Sequence, residues 1–372
     1  FSVLRKVGNL TYDGEKIMDR YDPSNPSIKW QRQENRNIGF DASLFNNRVN
    51  LVVNYYNNDT RNLLDEKKIA ASTGRLAVTA NVASVNNKGW EISLRTLNIR
   101  TDDFSWVTSV NFTKNKDKVT ETYYQDLSEI SASTNSTFES LYSLYIQGQP
   151  VRAFYGYKFA GVDPYTGNTL AYVDGFDDDG NRLGMLNAEG KYVYNMDNDL
   201  TVQLANASRS YLGRSDPPIT GGFTTQFNYK RFSLFAQFTY MTGHLARSFQ
   251  YYSGGTAYAA AKNVLKIEAN RWRKPGDLTD IPRYDTGRTE YLYQLFDFRF
   301  EKGDYLKCNN ISLGYNLEQS ICDKLHITRA RLNFNMANVF TLTKFRGIDP
   351  ETKGAFTYPS ARSYTFSLSI GI

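Results

Sequence analysis

The chain lacks any apolar run approaching the ~18 residues that a membrane-spanning helix requires, so helical membrane proteins are excluded. It is also poor in cysteine, with 2 in 372 residues, so disulfides do not hold the fold together. Cys308 falls in a predicted strand and Cys322 lies beyond that strand's end at Leu317. At ~3.3 Å per strand residue they are roughly 30 Å apart, out of bonding reach, and both are expected to be packed thiols. The 2 histidines, His244 and His326, have no neighbouring pattern for zinc or nucleophilic catalysis. A basic block is missing too: 44 Lys and Arg against 38 Asp and Glu leave +6, spread along the chain. Such a diffuse balance reads as solvated surface and argues against a nucleic-acid partner. No signal peptide opens the sequence, which begins Phe1-Ser2-Val3-Leu4-Arg5-Lys6 without Met and is expected to be a fragment or a clipped product.

Aromatic residues, by contrast, are abundant at 15%, with 27 Tyr and 23 Phe. A transmembrane β-barrel shows lipid only every second side chain, so its average hydropathy looks soluble while its aromatics gather in interfacial girdles. A large soluble β protein would share that composition, and the pattern along the chain has to separate the two.

Period-2 alternation recurs from end to end. Ile38, Phe40, Ala42 and Leu44 alternate with polar neighbours; after the turn Phe45-Asn46-Asn47-Arg48, Val49, Leu51, Val53 and Tyr55 resume one face. Trp90, Ile92 and Leu94 lead through a turn at 101–103 to Trp106, Thr108, Val110 and Phe112. The pattern returns at Phe223 to Tyr229, Phe232 to Tyr240, Ile311 to Leu317, Ala330 to Met336 and Tyr364 to Ile370, which predicts roughly ten to twelve strands in all. Turns near 45–48, 101–103, 230–231 and 318–328 are short, whereas 57–87, 115–150, 174–215, 241–303 and 341–361 are long. Short periplasmic turns opposite long extracellular loops are the signature of outer-membrane barrels. Counting back from a periplasmic C-terminus puts each short turn in the periplasm if residues 151–173 add an even number of strands. The expected fold is therefore all-β, a transmembrane antiparallel barrel, with Leu332 facing lipid and Asn333 a wet lumen. The competing architecture is a two-sheet sandwich, as in secreted adhesins.

Several segments resemble the SusC/RagA type of TonB-dependent outer-membrane transporter. They include Asn25-Pro26-Ser27-Ile28-Lys29-Trp30, Asn86-Asn87-Lys88-Gly89-Trp90-Glu91, Lys114-Asn115-Lys116 and Gly161-Val162-Asp163-Pro164-Tyr165-Thr166-Gly167. Further along come Pro217-Pro218-Ile219-Thr220-Gly221-Gly222-Phe223, Arg271-Trp272-Arg273-Lys274-Pro275-Gly276-Asp277, Asn338-Val339-Phe340-Thr341-Leu342-Thr343 with Asp349-Pro350-Glu351, and Tyr358-Pro359-Ser360-Ala361-Arg362. The resemblance implies a 22-stranded barrel of which residues 1–372 form the C-terminal portion, about half, with the N-terminal plug and TonB-contacting segment not in this chain. It further implies residence in the outer membrane of a Gram-negative, Bacteroidetes-like bacterium, a SusD-like surface lipoprotein as lid, the TonB complex as partner through the absent N-terminal part, and import of a glycan or oligopeptide. The ending Ser369-Ile370-Gly371-Ile372 departs from the aromatic terminus common in related barrels.

Little in the sequence suggests chemistry, and no enzyme is expected. Asp174, Asp177 and Asp179, before Gly180, resemble the acidic half of a calcium loop, since hard Ca²⁺ prefers several oxygens on a tightly turning backbone. With Asp177 and Asp179 at loop positions 3 and 5, the first ligand and the closing bidentate Glu are absent; a solvated acidic turn is the alternative, and no cofactor is required. Gly184 to Lys191 fails as a phosphate loop on spacing, with Tyr192 where Ser or Thr is needed. Arg271 to Asp277 mixes a ring with cations and either contacts a sugar or anionic cargo or braces its loop. Tyr251, Tyr252, Tyr258, Tyr291 and Tyr293 suit glycan or peptide contact equally. The expected function is gated nutrient import, against a passive barrel or scaffold and a secreted adhesin.

Overall fold

The computed structural model describes residues 3–12, 15–22, 25–68, 77–123, 145–172, 185–186, 191–196, 210–247, 266–283, 296–351 and 358–372. Its main element is one nine-stranded antiparallel sheet. The strands are β1 (Arg32–Leu44), β2 (Val49–Lys68), β3 (Ala77–Arg100), β4 (Phe104–Thr122), β5 (Ile219–Tyr229), β6 (Phe232–Thr242), β7 (Tyr305–Asn316), β8 (Arg329–Thr343) and β9 (Ser363–Gly371). Each pairs with its sequence neighbour, β1 to β9 in order, the topology of an up-and-down barrel wall. A sandwich would divide these strands between two packed sheets, so the single meander overturns the adhesin alternative. The sheet does not close, and β1 and β9 form its two edges. A separate hairpin, Val3–Tyr12 with Glu15–Asp22, precedes it.

Register shows why one face is apolar. One row runs Phe227, Leu234, Leu313, Phe334, Phe366 across five strands, and the next runs Thr225, Ala236, Ile311, Met336, Tyr364. Behind them lie Gln226, Phe235, Ser312, Asn335 and Thr365, with Arg331 donating to Asn333 Oδ1 (2.9 Å) and to Ser233 Oγ (2.9 Å). The apolar face is left uncovered: Phe366 is 80% exposed and Phe40 62%. Leu332 falls in the row Tyr229, Phe232, Tyr315, Leu332, Leu368, an aromatic girdle next to the short turns.

Those turns are built locally and tied sideways. Phe45, Asn46 and Asn47 adopt positive φ to reverse β1 into β2, a conformation Asn tolerates well. The Thr101 hydroxyl accepts from the Phe104 N–H (3.0 Å), and the Lys230 N–H donates to Asp103 O (2.8 Å), joining adjacent turns. Arg231 pairs with Glu318 (2.5 Å) ahead of a short helix, Gln319–Lys324, inside the predicted turn at 318–328.

One expectation needs correction. The segment 57–87 is not simply a loop, because β2 reaches Lys68 and β3 starts at Ala77, paired through bulges near Asn62; β4 likewise runs to Thr122. Beyond the bilayer neither face of a strand meets lipid, so the strict apolar alternation that would mark these extensions is lost, although Ala80, Val82, Ala83 and Val119 are buried by protein. Residues 151–173 add no strand to the main sheet, and the parity count therefore holds with zero. Both cysteines are free and buried.

Candidate functional site

The loops on the side opposite the short turns build a packed module. Ala153–Gly156 pairs with Ser210–Arg214, Leu245–Arg247 with Phe300–Lys302, and a four-stranded patch runs Met185–Leu186, Tyr192–Met196, Thr169–Tyr172, Phe159–Val162. Its core is aromatic. Phe296 lies 5.8 Å from Tyr157 and 5.6 Å from Phe298 between ring centroids, and Phe154 lies 4.4 Å from Phe300. Tyr157 is 0% and Phe296 2% exposed. Asp297 sits among them, accepting from the Phe159 N–H (3.0 Å). Burial raises its carboxyl above the ordinary range, against the pull of that bond and of the Phe298 N–H.

Two segments singled out in the sequence meet here. The Trp272 indole N–H donates to Pro164 O (2.8 Å), and the Gly276 N–H donates to the same oxygen (2.8 Å). The Trp272 ring presses on Gly167, where an added Cβ would stand 2.4 Å from it and where φ is +73°. Each segment is tightened from within. Asp163 accepts from the Tyr165 N–H (2.9 Å) and the Thr166 hydroxyl (2.6 Å), and Asp277 accepts from the N–H groups of Arg273 (3.0 Å) and Lys274 (3.1 Å). Burial acts to raise the Asp163 carboxyl, but these donors outweigh it and hold it below the ordinary range. The Arg273 and Lys274 N–H groups lower Asp277. With its N–H engaged and its ring against Gly167, Trp272 braces the loop. Arg271, Arg273 and Arg346 line a cavity of about 1010 Å³ walled by Phe159, Phe298 and Phe300, with Arg273 donating to Ala269 O (2.8 Å) and Arg346 paired with Glu301 (3.3 Å).

The module is fastened to the sheet at two places. Asp117, near the outer end of β4, forms an ion pair with Arg214 and accepts from the Val151 N–H (2.8 Å). On the polar face of β7, Lys307 forms an ion pair with Glu351, which also accepts from the Tyr305 hydroxyl (3.3 Å), so the Asp349-Pro350-Glu351 segment folds onto the lumen side. Sequence reading quoted Asp349 to Glu351 only as part of a motif; nothing in strand periodicity reveals that Glu351 meets Lys307.

Asp174, Asp177 and Asp179 lie outside the described residues, as do Gly184, Gly190 and the five loop tyrosines. His244 is buried at the foot of the loops, whereas His326 is exposed after the short helix. Among the described residues no three His, Cys, Asp or Glu side chains gather as a metal site.

An open meander with one apolar face, polar residues behind it and a loop module on one side is the plan of a large outer-membrane barrel. The family described as TonB dependent receptor-like, beta-barrel, matches residues 8–166. The chain is similar to TonB-dependent receptors along nearly its whole length. It is 26% identical to TonB-dependent receptor P3 of Formosa agariphila over 99% of its own length and 36% of the relative's. It is 24% identical to TonB-dependent receptor SusC of Bacteroides thetaiotaomicron, over 93% of this chain and 32% of that one. Among solved structures it is similar to the RagAB peptide transporter, with TM-score 0.76 and 26% identity over all of this chain and 38% of that one. The chain thus spans about a third of the length of the relatives it matches, and it is an outer-membrane β-barrel segment similar to SusC and to the RagAB transporter.

Proposed function

We propose that this receptor segment forms the C-terminal wall and outer vestibule of a transporter that imports a large nutrient, an oligosaccharide or oligopeptide, by a TonB-driven step beneath a SusD-like lipoprotein lid. The observation that carries this reading is the braced loop module. A passive pore needs only a wall, whereas here arginine side chains and aromatic rings surround a cavity of about 1010 Å³ on the loop side, large enough for several sugar or amino-acid units. The mechanism is gating rather than bond chemistry. The likeness to a peptide transporter supports an oligopeptide cargo.

Uptake of labelled oligosaccharides and oligopeptides by cells carrying the full-length protein tests the proposal. Uptake of one class that stops when a protonophore collapses the proton gradient is expected, together with co-purification of a surface lipoprotein. Uptake indifferent to the protonophore would favour the passive barrel or scaffold. For Asp174, Asp177 and Asp179, calorimetry on the full-length protein decides whether calcium binds: an Asp177→Ala/Asp179→Ala variant with unchanged calcium affinity removes that role.

A further inference from the structure

The outward face of β3 and β4 changes character abruptly at its outer end. Register places Ile38, Tyr55, Trp90, Lys114 and Ile219 in one row, with Tyr55 and Trp90 rings 4.9 Å apart. The next row outward is Arg36, Asn57, Lys88, Lys116, and the one beyond is Glu34, Asp59, Asn86, Lys118. Along β4 the even residues Lys114, Lys116 and Lys118 are exposed, while Asn115 and Asp117 between them are half-buried on the lumen side and Val119 is buried; Lys88 is exposed as well. The acidic groups nearby are already engaged, Glu34 with Arg36 (3.0 Å) and Asp59 with Asn86 (2.8 Å). Among the described residues none of the four lysines has an ion-pair partner.

Height fixes what this patch faces. From the girdle residue Phe104 to Lys114 is ten strand positions, which at ~3.3 Å each and a tilt of ~40° rise about 25 Å, the thickness of the apolar band. Lys114 therefore sits at the outer edge of the hydrocarbon, with Lys116 and Lys118 roughly 5 and 10 Å beyond it on the same geometry. Four cations at that level, one beside an aromatic pair and three above it, all turned away from the lumen, complement phosphate groups rather than cargo. We propose that Lys88, Lys114, Lys116 and Lys118 form a binding site for the phosphorylated head group of an outer-leaflet glycolipid, whose acyl chains would lie on the apolar rows below.

The test uses full-length protein in detergent, titrated with a purified phosphorylated lipid A and with its dephosphorylated form. Wild type should bind the phosphorylated form at least about tenfold more tightly, as expected for several lysines near one anionic surface. The Lys88→Gln/Lys114→Gln/Lys116→Gln/Lys118→Gln variant should lose that preference, with the single Lys116→Gln change losing part of it should the quadruple variant fail to assemble. A control that removes four exposed lysines elsewhere, Lys266→Gln/Lys302→Gln/Lys324→Gln/Lys344→Gln, should retain it. Equal binding of both lipid forms, an unaltered preference in the patch variants, an equal loss in the control, or full displacement by millimolar inorganic phosphate would overturn the proposal.

Discussion

The sheet and the loop module use aromatic side chains in opposite ways. In the loops, Tyr157 and Phe296 are removed from solvent by protein, at 0% and 2% exposure. In the sheet, Phe366 and Phe40 are 80% and 62% exposed. A side chain of that size contributes about 1.5–3 kcal/mol only when something apolar covers it. The loops supply their own cover and behave as a small folded unit; the wall draws its cover from lipid and its rigidity from ladder hydrogen bonds. A barrel wall therefore has its hydrophobic side outside, and the buried aromatic cluster of this chain lies in its connections.

Five substitutions probe that contrast. Phe296→Ala removes a ring from a closed aromatic cluster and should cost about 3–5 kcal/mol within the loop module. Limited proteolysis should show the loops cut faster while heat-dependent gel mobility, a property of the barrel, is retained. In the wall the sensitive change is charge. Ile311→Arg, on the outward face midway along β7, should cost ~2–4 kcal/mol and lower outer-membrane abundance, whereas Ser312→Arg on the lumen side should be tolerated. At the junction of the two regions, Arg214→Gln leaves a mostly buried Asp117 without its cation. A loss of about 1–3 kcal/mol is expected, below that for a fully enclosed pair, read as faster cleavage between 145 and 218. The smallest effect belongs to Leu332→Arg. Its place in the girdle row beside the short turns lowers the expected penalty to about 0–1 kcal/mol, less than a mid-membrane position would incur.

How much of this was legible in the sequence follows the same division. Ile38 to Leu44, Trp90 to Leu94, Phe223 to Tyr229 and Ala330 to Met336 all form strands on the expected faces, because a membrane imposes period-2 apolarity directly on sequence. The outer extensions of β2, β3 and β4 carried no such mark, since no lipid meets either of their faces there, and the predicted ten to twelve strands resolve into nine in the main sheet plus a separate hairpin. The loop module was least legible. Trp272 and Gly167 were each visible as parts of motifs, yet their contact depends on two segments far apart in the chain meeting above the wall. Local periodicity says nothing about such pairings; complementary shape does, in that a bulky ring needs a glycine opposite it.

The alternation of lipid and water along the wall is the claim on which the account rests. It can be read by placing single spin-labelled cysteines at Arg331 through Met336 of the full-length protein in bilayers, in a Cys308→Ser/Cys322→Ser background, and measuring collision with a lipid-soluble and a water-soluble relaxing agent. Labels at Leu332, Phe334 and Met336 should respond to the lipid-soluble agent, and those at Arg331, Asn333 and Asn335 to the water-soluble one. A profile without period 2, or with the two sets exchanged, would contradict it.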